Sequence, residues 1–65
     1  MALYSVTMRE GVHYGIHAQD RGEAIRKFAV FLNLSLYSLD RIRAFVARKG
    51  EILISPHTGC SYVNG

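Results

Sequence analysis

Seventeen residues near the start of the chain, "ALYSVTMREGVHYGIHA", constrain the fold more than any other feature. Both halves of this stretch alternate. In the first, Tyr4, Val6 and Met8 fall on one side, and Leu3, Ser5 and Thr7 on the other. In the second, Val12, Tyr14, Ile16 and Ala18 share one face, while His13, Gly15 and His17 share the opposite one. A period of two marks a half-buried strand. The intervening "REG" supplies a turn, with Gly11 free to take a positive φ. A β-hairpin with one apolar face follows. That face requires a second layer to cover it.

Strand geometry also limits what the histidines do. His13 and His17 are separated by ~13 Å on a strand that rises ~3.3 Å per residue. Zinc holds its ligand atoms at ~2.0–2.3 Å, so the two cannot share an ion. A four-ligand set of His13, His17, His57 and Cys60 would need a helix where the alternation calls for a strand. The reading therefore assigns no metal and no cofactor. Cys60 and His57 share the loop "SPHTGC", but nucleophilic catalysis also needs a group to orient the base and a concave pocket. The six glycines are scattered and form no phosphate-binding loop. No catalytic residues are assigned, and the chain is read as a non-enzyme.

The period changes at "QDRGEAIRKFAVFLN". Asp20 suits an N-cap, and Glu23 three residues later completes a capping-box-like pattern. Ala24, Ile25, Phe28, Phe31 and Leu32 make one helical stripe, with Glu23, Arg26 and Lys27 opposite. Val30 stands among the charges. After "NLSLYS", where Ser38 is placed to cap, "LDRIRAFVARK" reads as a second helix. Its buried side is Leu39, Ile42, Phe45 and Val46, and Arg41 and Arg48 stack on the far face around Ala44. Gly50 fits the helix-ending C′ position, with Arg48 and Lys49 at the negative end of the dipole. "EILIS" then reads as a strand stopped by Pro56, "PHTG" as a turn, and "CSYV" as a fourth, edge strand. The expected fold is a small two-layer α+β domain spanning residues 1–65, in the order β-β-α-α-β with that edge strand added. Its antiparallel or mixed sheet packs against two helices.

Composition then bears on function. A chain of 65 residues buries only about 60% of the surface exposed by its unfolded form. An apolar fraction of 49% is hard to hide in so short a monomer, which points to a homo-oligomer, dimer or larger, or to a hydrophobic partner surface. The single cysteine permits no disulfide within the chain and fits a reducing compartment. The opening "MALYSVTMRE" lacks the features of a signal peptide, and no apolar run approaches the ~20 residues that span a bilayer. A cytoplasmic protein without membrane partners is expected.

The leading functional reading is a protein-binding module, a regulator or inhibitor that works by protein–protein interaction. Val30 and the residues Leu34, Leu36 and Tyr37 of the connection would form its surface. Small proteins that block host factors are common in phage and mobile-element genomes, and the size fits that setting. The alternative is a nucleic-acid-binding protein. Its net charge of +3 would act through Arg26, Lys27, Arg41 and Arg48, with salt-dependent affinity.

Overall fold

A computed structural model describes residues 1–33 and 36–65. Two strands, β1 (Ala2–Arg9) and β2 (Val12–Ala18), form the expected antiparallel hairpin. Gly11 sits in its turn at a φ of 84°, where a side chain would strain the backbone. The pairing shifts register between Val6 and Arg9, so β1 carries one extra residue there. The Thr7 hydroxyl covers the irregularity, its single proton lying within reach of the carbonyls of both Arg9 and Val12. Met8 lies within this bulge and is 39% exposed instead of joining Tyr4 and Val6 in the core.

Helix α1 (Arg21–Phe31) begins where the period changes. The Asp20 carboxylate accepts from the Glu23 amide at 2.8 Å, and Glu23 reaches back to the Gln19 amide at 2.9 Å. The first bond satisfies a donor that a helix start leaves without a partner, and the second ties the residue before the cap to the first turn. Ala24, Phe28 and Ala29 are its buried residues. Together with Tyr4, Val6, Ile16, Ala18, Ile42 and Ala44 they make the core, and Tyr14, Ile25 and Leu39 pack at its margin. Phe28 is buried fully and its ring lies 5.2 Å from that of Tyr14. Burial of a side chain of this size contributes about 1.5–3 kcal/mol.

The second half of the chain departs from the expected second helix. Leu36–Arg41 is a short 3-10 helix, and Arg43–Val46 is a strand, β3. β3 pairs antiparallel with β1, setting Val6 opposite Ala44 and Ser5 opposite Phe45. The reason is visible in the burial. Ala44, assigned by helical spacing to the charged face, is 1% exposed, whereas Phe45 and Val46 are 55% and 62% exposed. Ile42 and Ala44 alternate into the core, so period two overrides the period of 3.6 that Leu39, Ile42 and Phe45 imitate. The free edge of β1 supplies the backbone partners that a helix would have found within itself. Gly50 does have a positive φ, 86°, but in the turn that closes Glu51 N–H onto the Arg48 carbonyl, not in a helix cap.

Strand β4 (Ile52–Ile54) falls within "EILIS" and β5 (Ser61–Val63) within "CSYV". The five-stranded sheet has the order β3-β1-β2-β4-β5. It is mixed, because β4 runs parallel to β2 while every other pair is antiparallel. The α+β class stands, with one α-helix and a 3-10 helix among the described residues in place of two helices. Among the described residues no helix is long and apolar enough to cross a membrane.

Candidate functional site

The site follows from how short β4 is. A single position, Tyr14 opposite Ile54, marks its pairing with β2. In a parallel ladder the next donor to the Gly15 carbonyl would be residue 56, which is Pro56 and has no N–H. The ladder with β4 therefore stops, and from Gly15 to Ala18 β2 is paired on its β1 side alone. Residues 13, 15 and 17 turn their backbone groups away from β1. The His17 carbonyl shows this directly, because it accepts from Lys27 Nζ at 3.0 Å. The Gly15 carbonyl and the His17 amide share that side and receive no ladder partner.

A groove of about 930 Å³ opens along this bare edge. Ile16 and the α1 residues Val30 and Phe31 give it an apolar wall, and the loop Ser55–His57 closes its far side. His57 packs edge-on against Phe31, with ring centroids 4.8 Å apart. Tyr62 comes from β5 and ends against Gly15, where a Cβ atom would collide with its hydroxyl. Glycine at position 15 is thus what lets the tyrosine hydroxyl approach the β2 backbone so closely. Arg26 and Lys27 stand on the rim with Glu23, which holds Lys27 at 3.5 Å. Among the described residues, Arg26 has no such carboxylate partner.

The residues singled out from sequence are divided by this geometry. Val30, 81% exposed, lines the groove together with Arg26 and Lys27. Leu34 and Ser35 lie outside the described residues, as do the side chains of Leu36, Tyr37 and Ser38. Arg41 ends the 3-10 helix. Arg48 lines a separate hollow with Ser5, His13, Phe45 and Glu51. The four basic residues of the nucleic-acid reading therefore do not share one helix-built face. Gly15, His17, Phe31 and Tyr62 were not identified as site residues. The available signal was a lone glycine inside a strand pattern, which marks close approach of another group.

A second polar constellation occupies the sheet face turned away from α1. Ser5, 2% exposed, donates its hydroxyl to Glu51 Oε2 at 2.8 Å and lies 3.2 Å from His13 Nδ1. The residue types match a nucleophile, a base and an orienting carboxylate, but the hydrogen bonds do not. With the serine proton directed to Glu51, the hydroxyl is an acceptor toward Nδ1, so the imidazole N–H donates and takes no proton from Ser5. The Arg48 backbone N–H, donating to Glu51 Oε1 at 3.0 Å, does most to hold that carboxyl below its usual range. Burial pulls the other way, and the Ser5 hydroxyl and the charges of His13 and Arg48 add to the lowering. This cluster ties β1, β2 and the start of β4 together.

Among the described residues no three His, Cys, Asp or Glu side chains gather as a metal site. Compared with family models, with curated proteins and with solved structures, the chain matches none.

Proposed function

We propose that the protein is a non-enzymatic binding module that takes an extended segment of a partner polypeptide into the groove beside β2. The observation that carries this reading is the coincidence of a bare strand edge, an apolar wall and an unpaired cation. The Gly15 carbonyl and His17 amide offer one acceptor and one donor to a strand laid alongside, the pattern by which peptides extend a sheet. Val30, Phe31 and Tyr62 flank that edge with apolar surface. Arg26 at the rim favours an acidic side chain on the ligand. The expected ligand is an extended peptide with apolar residues next to an acidic one. A regulatory or inhibitory role, masking a segment of another protein, suits a module of this size.

Selection from a displayed random-peptide library tests the reading. Peptides of that composition should emerge, bind the parent protein, and lose at least about tenfold in affinity with Val30→Asp, roughly the effect of one buried contact. Failure to select any peptide, or peptides that bind the Val30→Asp variant equally well, would sink it. The nucleic-acid alternative makes a different forecast for the same protein. Binding to oligonucleotides would fall steeply with salt and depend on Arg41 and Arg48 as much as on Arg26 and Lys27.

A further inference from the structure

β3 is the outermost strand at the end of the sheet opposite the groove, and its backbone geometry specifies a partner. The Ala47 amide donates to the Leu3 carbonyl at 2.9 Å, which sets the phase of the ladder. Residues 43, 45 and 47 turn their N–H and C=O groups toward β1. Ala44 and Val46 turn theirs outward, to nothing in the sheet. Neither outward position carries a charge or a proline, the usual means of blocking an edge. Arg43 is the one charge in the strand, and its guanidinium is folded back onto the Asp40 carbonyl at 2.6 Å.

We propose that β3 pairs with β3 of a second copy of this chain, antiparallel and across a twofold axis at Phe45. In that register Ala44 faces Val46 of the other copy and Val46 faces its Ala44. Each pair exchanges two N–H···O bonds, so every outward group is satisfied by four bonds in all. The neighbouring registers fail for a stated reason. Centring on Ala44 would call on Ile42, whose amide already donates to Leu39 and whose carbonyl faces the Arg43 guanidinium. Centring on Val46 would call on Arg48, whose amide donates to Glu51 Oε1 and whose carbonyl accepts from Glu51 N–H and Asn64 Nδ2. Centring on Phe45 is therefore the self-pairing register that uses free groups alone.

Side chains agree with the backbone. At the axis the two Phe45 residues occupy a non-hydrogen-bonded pair, where Cα atoms approach to about 4.5 Å and aromatic side chains stack most closely. On the α1 side, each Val46 covers the other copy's Ala44. Phe45 and Val46, 55% and 62% exposed in the single chain, are thereby covered. A contact of this length buries less than the ~1,200 Å² of a standard interface, so the dimer is weak and concentration-dependent. Its two peptide grooves lie one on each side of the junction, each beside β2 and separated from β3 by β1, which makes the assembly bivalent. The dimer itself does not depend on what the grooves bind.

Sedimentation across a wide concentration range, combined with register-specific cross-linking, tests this inference. The exposed Cys60 is first replaced by serine. In that background Phe45→Cys should form a disulfide-linked dimer under mild oxidation, since the expected Cα separation falls within disulfide range. Arg43→Cys, two residues away from the axis, should not. Val46→Pro removes one outward donor without touching the β1 ladder and should weaken self-association by about tenfold or more, as loss of a paired strand group implies. Because Phe45→Cys gives a gain of signal at an exposed position, misfolding of the proline variant leaves the test intact. A strictly monomeric parent protein, cross-linking through position 43 in preference to 45, or a dimer in which position 45 does not cross-link would each overturn it.

Discussion

The two faces of this sheet are held by different physics. Beneath α1, apolar side chains from three strands and the helix interlock: Val6, Ile16, Phe28 and Ala44 are all nearly or fully buried. On the other face the buried residues are few and mixed. Ser5 sits in a hydrogen-bonded cluster with His13 and Glu51, and Leu53, buried completely, lies next to Gly15 and opposite Tyr62. One helix of 11 residues cannot roof five strands. It packs on β1, β2 and β3, and at the uncovered end Ile52 and Val63 are both 64% exposed. The covered face thus supplies most of the folding energy. The open face supplies local fastenings, and surface that stays free for binding.

Paired truncations put that contrast at risk with the largest effect. Phe28→Ala should cost about 3–5 kcal/mol, because it empties the place of the largest fully buried side chain in the core under α1. Leu53→Ala should cost about 2 kcal/mol, near the low end for such truncations, because Tyr62 can settle into the space. Urea midpoints of the two variants measure the difference. Equal costs would mean that the open face is as well packed as the covered one, and the contrast would fail.

How much of this was legible beforehand differs along the chain in the same way. The hairpin and α1 declare themselves through local signals: two alternating runs around Gly11, and Asp20 with Glu23 at the start of the helix. The site does not, because it arises where elements distant in sequence end against one another. Pro56 reads locally as a strand stop. That it also leaves the edge of β2 bare becomes evident only once β4 is known to run parallel beside it. β3 was missed for a related reason. "LDRIRAFVARK" satisfies both periods, since Leu39, Ile42, Phe45 and Val46 fit a helix while Ile42 and Ala44 fit a strand. The free edge of β1, invisible in the sequence, decides between them.

Gly15→Ala tests the open face at its tightest point. The added methyl meets the Tyr62 hydroxyl and approaches Cζ of that ring and Leu53 Cδ1 at 3.1 and 3.2 Å. The tyrosine must swing away and uncover Leu53, at an expected cost of about 1–3 kcal/mol, typical of overpacking. Amide exchange should accelerate in β4 and β5 while α1 and the hairpin keep their protection. If exchange instead rose evenly through the sheet, the two faces would be one cooperative unit and the division drawn between them would be wrong.

The smallest effect concerns Glu51, and its sign follows from the direction of its shift. The folded chain holds this carboxyl below the ordinary value of 4.5, chiefly through the Arg48 backbone N–H. A lowered folded value means that the unfolded chain binds the proton first as acid is added. The stabilisation from Glu51 is therefore complete above about pH 4.5 and disappears as the pH falls through the lower folded value. Glu51→Gln keeps an acceptor near Ser5 and Arg48 but cannot titrate. At neutral pH it should cost no more than about 1 kcal/mol, the net value of an ordinary hydrogen bond. Below pH 4.5 the difference between variant and parent should shrink, because the parent loses what the variant never had. Phe28→Ala should keep its deficit unchanged over the same interval, since nothing beneath α1 in that core titrates with acid. A Glu51→Gln deficit that stayed constant with pH would show that the cluster acts by packing alone, and the two faces would then differ in degree and not in kind.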